Sequence, residues 1–142
     1  IRKKVEVLFQ IILHYRKSVI TEDDPSHERI VVFDEAQRMW DQHEADKNIQ
    51  SLGLPPRGKS EPDLFIEHMD KLDDWAVILC LLGGGQEINK GEDGLIEWLK
   101  SIKTNFPHWN VFGAPEISTK EYLGDISADT ALDLVNKTFI DE

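Results

Sequence analysis

Ile30-Val31-Val32-Phe33 runs straight into Asp34-Glu35. Adjacent carboxylates at the end of a buried strand suit a site that hydrolyses a nucleotide. Asp34 would hold Mg²⁺ through water, because Mg²⁺ keeps much of its hydration shell and prefers hard oxygen ligands. Glu35 would orient or deprotonate the water that attacks a terminal phosphate. Four apolar residues followed by Asp-Glu form the Walker B pattern. A strand leaving the core through solvated acids has the same letters, and the pair alone favours that plainer reading. Gln37-Arg38, directly downstream, shifts the balance. A second polar strand end, Gly83-Gly84-Gly85-Gln86-Glu87, follows the apolar run Trp75–Leu82. The glycines permit close backbone approach, and Gln86 stands where a P-loop enzyme keeps its phosphate sensor or water-positioning residue. A loop that needs only flexible turns fits those letters equally well.

Gly53-Leu54-Pro55-Pro56-Arg57-Gly58-Lys59-Ser60 matches the Walker A pattern G-x-x-x-x-G-K-[ST], yet its surroundings argue against a phosphate cradle. Such a cradle follows a buried strand and opens into a helix, so that backbone N–H groups converge on the phosphates. Asp46-Lys47-Asn48-Ile49-Gln50 is no strand, and two prolines remove donors from the loop. Glu61 and Asp63 add negative charge, and the match lies after the Asp-Glu strand rather than before it.

The elements that must position these groups alternate between helix-like and strand-like patterns. Val5, Leu8, Phe9, Ile12 and Tyr15 recur at helical spacing, predicting an amphipathic helix flanked by Arg2, Lys3, Lys4, Arg16 and Lys17. A polar linker over 21–26 leads to the strand 30–33, whose wholly apolar run suits a strand covered on both faces. A short helix is expected around Ala36–Ala45. Ser60 should cap another, with Phe65, Met69 and Leu72 as its buried stripe. Trp75–Leu82 reads as a central strand, and Gly91-Glu92-Asp93 opens a helix burying Leu95, Trp98, Leu99 and Ile102. Trp109–Phe112 is expected to be a third strand. The tail, residues 128–142, allows strand or helix. The pattern predicts an α/β fold: a three-layer parallel sheet flanked by helices, with ligands beyond the carboxyl ends of the strands.

Composition sets the outer bounds. The chain has 142 residues, 40% of them hydrophobic, with 16 Lys+Arg against 27 Asp+Glu and a net charge of −11. That suits one domain over residues 1–142 and argues against a surface that grips nucleic-acid phosphates throughout. No apolar run reaches the roughly 20 residues of a membrane-spanning helix. A start at Ile1 without an initiator Met or a signal-peptide core reads as an excised piece. The lone cysteine, Cys80, makes no internal disulfide, and the cytoplasm is the expected compartment. His14, His27, His43, His68 and His108 lack ligand spacing for zinc. Cys80 is expected to be a buried, inert thiol. Trp75 and Trp98 should pack in the core, as should Trp40, although its place beside Arg38 would also allow stacking on a base or adenine.

With both strand ends in hand, the chain resembles the Schlafen-type DNA/RNA helicase-like family of P-loop NTPases. The matching stretches are Ile30–Trp40, Ser60-Glu61-Pro62, and Trp75 through Glu92 around Gly85-Gln86-Glu87-Ile88-Asn89, with Trp98 also in place. The resemblance implies a partial P-loop NTPase (RecA-like) core that uses Mg²⁺ and ATP. Asp34 and Glu35 would take the Walker B roles, with Asp34 as the metal ligand and Glu35 catalytic. Gln37 and Arg38 would belong to the same nucleotide-binding box, and Gln86 would be the sensor. It further implies that the phosphate-binding loop precedes this stretch, and that a second motor lobe with an arginine finger follows it. DNA or RNA would be engaged through those other parts, and this piece alone should show little or no ATPase activity. A non-catalytic, acidic α/β interaction module is the rival reading. The motor reading requires the acids after Phe33 and the amide of Gln86 to share one rim of a parallel sheet.

Overall fold

The computed structural model describes residues 12–21, 24, 28–83, 94–114 and 117. In chain order the elements are helix α1 (Ile12–Thr21), strand β1 (Ile30–Phe33), a 3₁₀ turn (Ala36–Arg38), helix α2 (Gln42–Ser51), helix α3 (Glu61–Asp70), strand β2 (Val77–Cys80) and helix α4 (Gly94–Asn105). The predicted helix beginning at Val5 falls mostly outside the described residues. Its described part runs further than the pattern indicated, to Thr21, and Val19 and Ile20 join its core face.

β1 and β2 pair in parallel, in the register Ile30↔Val77, Val31↔Ile78, Val32↔Leu79 and Phe33↔Cys80. Parallel neighbours need a crossover, and the chain makes it through α2 and α3. Period-2 alternation sends Val31, Phe33, Ile78 and Cys80 toward the helices. The opposite face carries Ile30, Val32, Val77, Leu79 and Leu81, with Ile30 57%, Val32 54% and Leu79 49% exposed. Among the described residues the sheet is therefore covered on one face, where the apolar run predicted cover on both.

The core gathers around the last residue of β1. The Phe33 ring stacks on Phe65 at 4.9 Å between centroids and meets Tyr15 edge-on at 5.5 Å, with Trp98 at 5.7 Å. This aromatic cluster anchors the strand end that presents the acids. α3 begins as its sequence dictates: the Ser60 hydroxyl accepts the Asp63 N–H, the Asp63 carboxylate accepts the Ser60 N–H, and Pro62 sits in the first turn. Phe65 and Met69 are buried on its inner face, while Leu72 lies just beyond the helix end and is partly buried.

Three expectations need correction. The helix expected around Ala36–Ala45 is a single 3₁₀ turn, a break at Met39–Asp41, and then α2, whose start is fixed by Asp41 accepting the Glu44 N–H at 2.9 Å. The Trp75–Leu82 strand shortens to Val77–Cys80, and Trp75 is 53% exposed rather than packed in the core. The Arg29 guanidinium lies 5.4 Å from its ring centroid instead. Trp109–Phe112 is not a strand: the Trp109 N–H closes a turn onto the Phe106 carbonyl, and the Asp70 carboxylate pins both His108 and the Trp109 indole at 2.7 Å. Among the described residues, β2 therefore keeps an open edge, beside a cavity of about 710 Å³ lined by Ile78, Cys80, Leu95, Trp109 and Val111 among others.

Candidate functional site

Both strands run toward the same rim, and the backbone stitches their ends together. The Leu81 N–H donates to the Phe33 carbonyl at 2.8 Å, and the Ala36 N–H donates to the Leu81 carbonyl at 2.9 Å. The chain leaving β1 thus stays beside the chain leaving β2 for three residues past the ladder. Asp34, Glu35, Gln37 and Gly83 are brought together there. Gln86 lies outside the described residues.

Asp34 is exposed, and its carboxylate accepts the Glu35 N–H at 3.1 Å. Glu35 has φ 55° and ψ 42°, the left-handed region that a long L side chain rarely adopts. That conformation turns the chain sharply from strand to 3₁₀ turn and aims both acids at the rim. Strain of this kind persists only where the surroundings over-determine it, and it clusters at functional sites. The Glu35 carboxylate accepts a 2.6 Å bond from Gln37 Nε2 and lies 3.6 Å from Arg38 Nε. Gln37, expected to touch nucleotide, is buried, and its Oε1 accepts the Gly83 N–H at 3.1 Å. Arg38 is exposed at the rim beside Glu35.

The rim rests on two supports that spacing alone did not show. Trp98 lies in α4 with its indole N–H donating to the Ala36 carbonyl at 3.0 Å, so that both backbone polar groups of Ala36 are used. The signal for it was the rule that a buried indole N–H seeks an acceptor. Behind the turn, Glu61 is buried and paired through both carboxylate oxygens with Arg16, and it also accepts the Trp40 N–H at 3.0 Å. The Arg16 guanidinium lies 3.7 Å from the centroid of the half-buried Trp40 ring. The sequence pattern shows Arg16 only as a charged flank of its helix and Glu61 as an early helix acid.

The Walker A look-alike forms the loop from α2 to α3. Its Arg57 and Gly58 N–H groups both point at the Asp46 carboxylate, at 2.8 and 3.0 Å, and Lys59 pairs with Glu67 at 2.6 Å. An internal carboxylate fills the place that a phosphate would need. Burial pushes the Cys80 thiol up to about 12, which leaves it protonated and inert at neutral pH. Among the described residues, no three His, Cys, Asp or Glu side chains cluster as metal ligands. No described helix is long and apolar enough to cross a membrane.

Two parallel strands backed by helices, with the acids Asp34 and Glu35 at the carboxyl end of β1, place the chain among α/β proteins. A family model, Schlafen group 3, DNA/RNA helicase domain, matches residues 1–137, and the chain belongs to this family. The searches of curated proteins and of solved structures return no match.

Proposed function

We propose that this chain forms part of an ATP-binding, P-loop NTPase core of a DNA/RNA helicase-like motor, supplying its Mg²⁺- and water-handling side. The observation that carries the reading is the parallel pairing of β1 with β2, which sets Asp34, Glu35 and the start of the triple glycine at one rim. Asp34 suits Mg²⁺: it is a hard oxygen donor, exposed, and able to hold the hydrated ion through water. When bound with ATP, Mg²⁺ would neutralise charge developing on the transferred phosphoryl group. Glu35 accepts the proton of the attacking water, and a carboxylate offers about four lone-pair sites, so the Gln37 bond leaves it that capacity. As the resemblance implies, Gln86 would serve this site as its sensor.

The phosphate loop must come from chain other than Gly53–Ser60, whose Arg57 and Gly58 N–H donors are already taken by Asp46. The edge of β2 that is open among the described residues offers a place for the strand that would deliver it. Val77 and Leu81 direct their N–H groups to β1, so Ile78 and Cys80 direct theirs to the free edge. A parallel strand laid there would end at the rim of Asp34 and Glu35 and widen the sheet, and helices packed on the exposed face would complete the three-layer fold.

The test is Glu35→Gln in the complete motor, meaning the polypeptide that joins this chain to its phosphate loop. ATP binding should persist while turnover falls by at least ~100-fold, the scale on which general base catalysis contributes. Unchanged kcat refutes the assignment of Glu35 as the water-activating group. A parent gene that encodes no strand followed by G-x-x-x-x-G-K-[ST] upstream of this stretch favours the non-catalytic interaction module instead.

A further inference from the structure

Gln37 touches both strand ends at once, and its carboxamide admits only one orientation. A backbone N–H can only donate, so the Gly83 amide must meet Oε1, as it does at 3.1 Å. An ionised carboxylate can only accept, so Glu35 must meet Nε2, as it does at 2.6 Å. Each contact enforces the other, and burial of Gln37 at 6% exposure removes water as a substitute partner. Gly83 closes the arrangement sterically. A Cβ there would stand 3.2 Å from Gln37 Nε2 and 3.2 Å from both Glu35 carboxylate oxygens.

We infer that Gln37 is a positioning residue rather than a nucleotide contact: it fixes the Glu35 carboxylate and ties it to the end of β2 through the Gly83 amide. The inference rests on the proposed ATPase reading and assigns the division of labour within that site. It also accounts for a long side chain tolerated at φ 55°, because Glu35 is held from its carboxylate end as well as through its backbone. A change at the tip of β2 is thereby felt by the water-activating group without any contact to the nucleotide.

The experiment compares Glu35→Gln, Gln37→Met and Gly83→Ala in the complete motor, reading ATPase kinetics and hydrogen exchange at the Gly83 amide. Gln37→Met keeps length and volume while deleting both polar contacts. It should lower kcat by ~10–100-fold with KM for ATP within about twofold, the pattern of a lost transition-state interaction. Gly83 exchange should speed up by at least ~10-fold as its acceptor disappears. Gly83→Ala leaves both side chains chemically intact and displaces them by a few tenths of an ångström. It should lower kcat in the same direction and serves as the second probe if Gln37→Met does not fold. A rise in KM with kcat unchanged would make Gln37 a nucleotide contact and overturn the inference. So would wild-type kcat in Gln37→Met, or in Gly83→Ala alone where Gln37→Met is insoluble, while Glu35→Gln abolishes turnover. Wild-type turnover in Glu35→Gln itself sinks the parent reading instead, which keeps the two failures apart.

Discussion

Glu61 is the residue whose loss the fold should feel most at a single atom pair. Its side chain is 3% exposed and that of Arg16 11%, so the pair sits where water cannot replace either partner. Both carboxylate oxygens serve Arg16, and one also holds the Trp40 N–H, which restrains the chain as it leaves the rim. A buried ion pair gains little net stability over an apolar pair of the same shape, yet removing one member strands the other's charge. Glu61→Gln should therefore lower unfolding free energy by ~3–5 kcal/mol, the range for an orphaned buried charge. Urea denaturation checks this, with m unchanged and the midpoint shifted down. A loss below about 1 kcal/mol, the ceiling for exposed pairs, would show that Arg16 reaches solvent when its partner is gone.

Among the elements, α4 does more than fill the core, because Trp98 couples it to the turn that carries the acids. Trp98→Phe preserves most of the packing against Phe33 while leaving the Ala36 carbonyl without its 3.0 Å donor. The expected cost is ~1–3 kcal/mol for an unpaired buried polar group. Faster exchange at the Ala36 amide, bonded to Leu81, should accompany it, and exchange unchanged there would mean that the turn does not lean on α4. The same elements show what a sequence exposes. β1, the Ser60 cap and the apolar stripe of α4 are local patterns, written in β-branched residues, a capping box and 3.6-residue spacing, and each was readable. The acids at the strand end were equally readable. The 3₁₀ turn, the orientation of Gln37 and the Arg16–Glu61 pair depend on contacts across 45 or more residues in two of the three cases, which periodicity does not encode. Trp109–Phe112 misled for the same reason: Asp70, at the end of a distant helix, captures His108 and Trp109 and outweighs local strand propensity.

For the whole molecule, charge and exposed apolar surface point the same way. A net charge of −11 opposes a polyanionic nucleotide, and the one loop with the phosphate-binding letters is occupied by Asp46. The 142-residue chain alone should accordingly show no millimolar-or-better Mg²⁺-ATP binding by calorimetry; a clear isotherm would mean that the rim holds nucleotide without a cradle. The sheet face that is bare among the described residues makes a separate demand. Ile30, Val32, Val77 and Leu79 form a contiguous apolar surface on a two-stranded sheet, and a sheet so small has little independent stability. Replacing Val32 and Leu79 by Thr keeps β propensity and changes only what that face offers a neighbour. If the face is solvated in this chain, the double variant should stay within ~0.5 kcal/mol of the parent, as surface substitutions do. In the complete motor, with the predicted third layer in place, the same pair should cost about 1–3 kcal/mol for each hydroxyl buried without a partner. Equal tolerance in both would argue against a three-layer sheet, whereas a loss already present in the 142-residue chain would place the covering layer within it.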